Sequence, residues 1–497
     1  MGPSTSCDVG ATKLYLCRMR KISGLVIGLF LFTGVKAQNS TSTAYSLEDC
    51  IKIALTNNID IQLAKISESQ TQIDYNQSRL NLTPDLSASA GQYYQSGRSI
   101  DRFTNQFVQT TVGNSSFHLQ SNLVIYQGGQ LRNAIKQTKL LNQASAEDVL
   151  QAKQTIALNV ALAYLQCLQS MEQVKASNAN VTAQENELKR IQALVDAGSA
   201  NTGMLLAAKS QMANAKSGLV QTNSAYKTNL LNLKNLLFLP YSQVFEIKTS
   251  AAIIPTSGIF PIPLNELIDS AIKRRPEYKS QNLRKKSSEL SVKIAKGALY
   301  PSVFLGGSLN SVYSGNSKAI SNVSLAGSQP IGYVSNTNEV VEAPVFNYTL
   351  TTIDFGKQVK DNFGQSFGAS VNMPIYVKLQ ARSNISKAEL GVLQSELSLK
   401  RLEQTITNEV NSAYQAFQNA YAQYSALNEN HTAQKQNLEF LRLRFENGQA
   451  NYFELQLAQT NEIAAYQNML SAKYELALRN MILEFLYTNQ QQLLNNF

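Results

Sequence analysis

Two hydrophobic periods alternate along this chain. From Ser46 a stripe of Leu47, Cys50, Ile51, Ala54, Ile59, Ile61 and Ala64 recurs at helical spacing, and the pattern runs to about Leu82, where Thr83-Pro84 ends it. Ser46 and Asp49 have capping-box spacing at its start. The period then drops to two. Leu86, Ala88 and Ala90 alternate with small polar residues, and beyond a polar loop of about 20 residues Phe117, Leu119, Leu123 and Ile125 alternate with His118, Gln120 and Asn122. These patterns predict strands over Pro84–Gln95 and Ser115–Tyr126. After Gly128-Gly129 a helical pattern without Pro or Gly reaches Ala197, bends within Asp196–Ala208, and continues as a helix from about Asn201 to Leu239.

The same order of elements then returns. Pro263 to Leu267 echoes Ser46 to Cys50, and Tyr300-Pro301 echoes Thr83-Pro84, both at an offset of 217. Ile375-Tyr376, Gln380, Arg382 and Ile385 echo Ile125-Tyr126, Gln130, Arg132 and Ile135 at an offset of 250, and the bend recurs as Glu446–Ala458. The 33-residue difference falls in a Gly/Ser/Asn-rich segment from about Ser314 to Asp361, which reads as a loop insertion outside the packed body. The expected organisation is a first repeat over 45–239, a Pro-marked linker over 240–263, a second repeat over 264–490 and a tail at 491–497.

Both long helices share one register. Ile156, Val160, Ala163 and Cys167 match Ile406, Val410, Ala413 and Phe417 at alternating spacings of four and three, as in a coiled-coil seam or ordinary bundle packing. Residues 128–197 span about 105 Å as one helix, and the two shorter helices of each repeat, end to end, nearly match it. The second repeat's strands, Pro301–Tyr313 and Gly364–Tyr376, set Val303, Leu305, Leu309, Phe367, Ala369 and Val371 against Ser302, Ser308, Asn310, Ser366, Ser370 and Asn372. One apolar and one polar face fit either a soluble sheet or a membrane barrel with a wet lumen. Four strands cannot close a barrel, because the smallest membrane barrels need eight, so a barrel requires strands pooled from several copies in a closed ring.

Composition narrows the functions. Charged residues are 16%, Trp is absent and Pro is scarce at 11. Met19-Arg20-Lys21, the apolar run Gly24–Gly34 and the small residues to Ala37 predict an export signal over 1–37, with Met19 an alternative start and no lipoprotein cysteine after the run. Without that segment 39 basic residues face 33 acidic ones, spread out and without aromatic interleaving, which gives nucleic-acid binding no support. Past it, no apolar run is long enough for a transmembrane helix. Cys50 and Cys167 make neither a disulfide scaffold nor a metal site, and His118 and His431 lack catalytic or metal-ligand spacing. No enzyme and no cofactor is expected.

Leu47–Ala54 with Asn57-Asn58, the helix-ending Pro84 and Pro301, Gly128-Gly129 and the paired bends at Gly198 and Gly448 together resemble the TolC-type outer-membrane efflux protein family, over about residues 45–490. The resemblance implies a mainly α protein with membrane β: a homotrimer whose 12-stranded outer-membrane barrel continues into a 12-helix periplasmic coiled-coil tunnel. It implies a Gram-negative outer membrane, and the role of exit duct for an inner-membrane pump, joined through a periplasmic adaptor in a tripartite efflux or type I secretion system. It places adaptor docking at Gly198, Ser199, Ala200, Asn201, Gly448, Gln449, Ala450 and Asn451, although Gly and Asn there also read simply as turns and helix caps. It places a periplasmic gate at Glu454, where carboxylates would form a ring, and at Phe445, which stands at a family tyrosine; Met204 and Leu457 depart from the family's other acidic positions. Glu454 also sits three residues after Asn451, as a capping box requires. An exported coiled-coil structural or adhesion protein without channel activity is the rival reading.

Overall fold

The computed structural model describes residues 44–100, 107–248, 255 and 257–487; the expected export signal and tail lie outside them. The first repeat comprises α1 (Leu47–Asn57), α2 (Ile59–Leu80), β1 (Ser87–Ile100), β2 (Phe107–Gln127), α3 (Gln130–Asp196) and α4 (Thr202–Leu236). The second comprises α5 (Leu264–Arg274), α6 (Pro276–Gly297), β3 (Ser302–Ser314), β4 (Lys318–Tyr333), β5 (Val340–Thr352), α7 (Phe355–Asp361), β6 (Gly364–Asn372), α8 (Gln380–Glu446) and α9 (Tyr452–Tyr487).

The repeats match closely in length. α3 and α8 each have 67 residues, about 100 Å at 1.5 Å per residue, α1 with α2 equals α5 with α6 (11 and 22 residues in both), and α4 and α9 differ by one. α1, α2 and α4 all pack along α3, and α5, α6 and α9 pack along α8. The first helical stretch is therefore two helices rather than one. Asn58 ends α1 with its N–H on the Ala54 carbonyl (2.9 Å) and caps α2 by accepting from Asp60 (2.8 Å) and Ile61 (3.3 Å). Arg275 holds the same backbone conformation between α5 and α6, with Pro276 starting the next helix and Glu277 and Glu409 pairing its guanidinium. The expected Ser46–Asp49 capping box is formed, with Oγ of Ser46 accepting from the Asp49 N–H at 3.2 Å.

One antiparallel sheet holds β1-β2-β3-β6 in that order, leaving β1 and β6 as its edges. Ala88, Leu119, Leu309 and Gln365 share one face, as do Leu123, Leu305 and Ala369; His118, Asn310 and Gly364 lie on the other, where Ser308 and Ser366 bond at 2.8 Å. Three strand expectations change. β1 runs past Gln95 to Ile100 and β2 starts at Phe107, so most of the expected polar loop is paired strand whose two faces are both polar enough to hide the alternation. A bulge between Val124 and Tyr126 takes Ile125 out of the pattern and puts Tyr126 opposite Val303. β6 stops at Asn372, since Pro374 cannot donate to a ladder. The insertion is not a loop. It folds as the β4–β5 hairpin and the short helix α7.

Three apolar clusters hold the helices. The first gathers Cys50, Ile51 and Ala54 of α1 with Val160, Tyr164 and Cys167 of α3, Leu233 and Leu237, and Phe245 and Ile247 of the linker. The Tyr164 hydroxyl donates to the carbonyls of Tyr45 (3.2 Å) and Lys248 (2.8 Å), and the buried Lys234 donates to those of Tyr241 (2.8 Å) and Gln243 (2.6 Å), which fixes the linker against the helices. The second packs Leu267 and Ala271 on Ile406, Val410 and Phe417 of α8 and Leu476 and Leu483 of α9. The third lies at the bends. Among the described residues no helix is long and apolar enough to cross a membrane.

Candidate functional site at the helical bends

Both bends are built alike. In the first, the Ser199 N–H reaches back to the Leu194 carbonyl (2.8 Å) and Gly198 N–H to that of Val195 (2.9 Å); in the second, Gln449 reaches Arg444 (2.8 Å) and Gly448 reaches Phe445 (3.0 Å). This is the Schellman pattern, whose left-handed residue is Gly198 or Gly448, each at φ +69. An added Cβ at either glycine meets nothing within 4 Å, so backbone conformation rather than space selects glycine there. Asn201 then caps α4 by accepting from Met204 N–H (2.9 Å), and Asn451 caps α9 by accepting from Glu454 N–H (2.9 Å). Gly198, Ser199, Asn201, Gly448, Gln449 and Asn451 are exposed, while Ala200 and Ala450 are half-buried.

Glu454 is exposed, and its Oε1 accepts from Nδ2 of Asn451 at 2.9 Å. That contact ties the carboxylate to the helix cap. Phe445 does not face solvent alone. It packs with Ile191, Leu205, Ala208 and Tyr452, so the third cluster joins the first hairpin to the second. The Arg190 guanidinium lies 5.4 Å from the Phe445 ring and is held by two bonds to Glu187 (2.6 and 2.9 Å). The Glu187 carboxylate raises the Arg190 pKa, and burial with the nearby Glu187 raises that of the Tyr452 hydroxyl. Arg190, Glu187 and Tyr452 escape sequence reasoning; the one available signal is an aromatic residue at 452 where the repeat equivalent is Thr202, and the structure buries the tyrosine and exposes the threonine.

The remaining candidate groups lie away from the bends. His118 faces Asn310 across the sheet, and His431 contacts Glu462 at 3.3 Å beside the Tyr466 ring. Cys50 and Cys167 are free and buried, and burial pushes both thiols up to about 12. Among the described residues no three His, Cys, Asp or Glu side chains converge as metal ligands would.

The family model for outer membrane efflux proteins matches residues 50–237 and 267–486. An uncharacterized protein of Haemophilus influenzae is 22% identical over 434 residues, covering 85% of this chain and 82% of the relative. Outer membrane protein TolC of Escherichia coli is 23% identical over 192 residues, 38% of this chain and 39% of that one. In structure, the CmeC outer membrane channel of Campylobacter jejuni superposes with a TM-score of 0.67 at 17% identity, over 90% of this chain and 88% of that one. Family and fold are those of channel proteins rather than enzymes, and they favour a duct over a coiled-coil adhesin. The chain belongs to the outer membrane efflux protein family, placed in the outer membrane with its helical tunnel part in the periplasm.

Proposed function

We propose that three copies close into a 12-stranded barrel over a 12-helix tunnel, which serves as the exit duct of a tripartite efflux or type I secretion system. The observation that carries this reading is the open four-stranded sheet, whose β1 and β6 edges are unpaired among the described residues of one copy. A lipid-embedded sheet cannot leave such edges open, because each unpaired backbone group in hydrocarbon costs several kcal/mol. The helices agree. α2 exposes Leu63, Ile66 and Ile73, and α8 exposes Leu390, Leu393 and Leu397, whereas α6 is covered on both sides by α3 and α8. In a ring, α2 of one copy takes between α3 and the next copy's α8 the place that α6 takes within a copy.

The bends form the periplasmic tip. Their small, uncharged and mostly exposed residues from Gly198 to Asn201 and from Gly448 to Asn451 offer two near-identical knobs per copy to a periplasmic adaptor, which joins the duct to an inner-membrane pump. At the same end Phe445 and Arg190 latch the second hairpin to the first, and three copies of Glu454 ring the axis. Gly198→Trp and Gly448→Trp are expected to abolish efflux while leaving assembly intact, as read by drug susceptibility and by the oligomer in membrane extracts. Gly198→Ala serves as the control, because it carries the left-handed strain, about 1 kcal/mol, without the bulk. Unchanged susceptibility in the Trp variants would remove docking from the bends.

A further inference from the structure

The β4–β5 hairpin continues the membrane strands away from the helices: β3 leads up into β4, and β5 leads down through α7 into β6. With the helices in the periplasm, the hairpin stands on the exterior side. Thirteen cross-strand pairs give it a length of about 40 Å at roughly 3.3 Å per residue. Its base is fixed. Gln358 of α7, only 2% exposed, accepts from Ser314 N–H (3.0 Å) and donates to the carbonyls of Ser314 (3.1 Å) and Ile353 (2.9 Å), one on each side of the hairpin's root. Phe355 of the same helix packs on Phe117 and Tyr313 of the sheet.

The lower half of this hairpin is amphipathic. The pairs Ile320/Leu350, Val323/Tyr348 and Leu325/Phe346 share one face, and the intervening pairs Asn322/Thr349 and Ser324/Asn347 share the other. Leu325 is 67% exposed and Tyr348 58%. A two-stranded hairpin is marginal in water without a covering layer, and contiguous apolar patches of a few hundred Å² mark contact surfaces. Edge pairing is blunted farther up, where Pro330 and Pro344 interrupt the two strands and β4 bulges near Gly332. The contact must therefore be made by the face. A lipid surface suits it poorly, since Lys318 is the only basic residue on the hairpin against Glu339 and Glu342, and Trp is absent.

We propose that this face is covered by the same hairpin of neighbouring copies, so that three hairpins form a collar above the barrel mouth. The inference rests on the ring reading above: β6, the strand that β5 runs into, is the edge that meets the next copy, so the hairpins are brought together wherever the barrel closes. In outer membranes of cells carrying single cysteines, a short bismaleimide is expected to join copies through Leu325→Cys and Val323→Cys but not through Ser324→Cys or Asn347→Cys. A membrane-impermeant maleimide on whole cells should label Ser324→Cys at least tenfold faster than Leu325→Cys. A heat-sensitive oligomer that gives no cross-link at Leu325→Cys overturns the collar while the ring stands, whether that cysteine is labelled or shielded. Loss of the oligomer from the unsubstituted protein overturns both. The native Cys50 and Cys167 are buried and stay out of the reaction.

Discussion

Gly128 and Gly129 open α3 at φ +55 and +75, and Lys378 and Leu379 open α8 at φ +46 and +59, so one left-handed turn is made twice with different residues. Neighbours explain the difference. A Cβ on Gly128 would come within 2.0 Å of the Gly297 carbonyl oxygen, at the end of α6, whereas Lys378 and Leu379 are exposed. In the first repeat the position matching Gly297 is Leu80, whose side chain is exposed. Gly128→Ala combines left-handed strain with a backbone clash and is expected to cost at least about 2 kcal/mol. Leu379→Gly only relieves strain and is expected to raise stability slightly, by about 0.5–1 kcal/mol. Thermal unfolding of the purified oligomer, followed by helical circular dichroism, separates the two. Equal losses would contradict this account.

At the scale of elements, what the sequence shows and what it hides follow from the physics of each segment. The long helices are plain because a 67-residue apolar stripe repeats many times, and the caps Ser46, Asn201 and Asn451 are plain because side-chain capping is local. The break at Asn58 is hidden, because Asn is tolerated in a helix and its double capping role depends on backbone geometry that spacing does not encode. The upper parts of β1 and β2 and the β4–β5 hairpin are hidden for other reasons. In β1 and β2 backbone ladders hold the upper parts, where few alternate positions are apolar on one side only; in the hairpin, bulges between Ile320 and Asn322 and between Leu325 and Gly327 interrupt the period of two. At the tip, Phe445 and Glu454 are legible as positions, but the Arg190 contact joins residues 255 apart and has no local signature. The two readings of Glu454 separate in Glu454→Gln, which keeps the Asn451 cap to the backbone and removes the charge. In planar bilayers this variant is expected to weaken block by divalent cations; unchanged block would leave helix capping as its only role.

For the whole molecule, the proposed closure between copies governs everything else. Barrel, tunnel, gate and collar each require β6 of one copy to meet β1 of the next, and α2 to cover the apolar face of the next copy's α8. The repeat supplies half of every such contact inside one chain, through β2 with β3 and through α6 between α3 and α8. The most direct test is the electrophoretic behaviour of the protein extracted from outer-membrane fractions, run with and without boiling and calibrated by chemical cross-linking. The account predicts a species of three chains that collapses to a single chain on heating. A soluble periplasmic monomer, or a membrane species of one chain in unboiled samples, would contradict it.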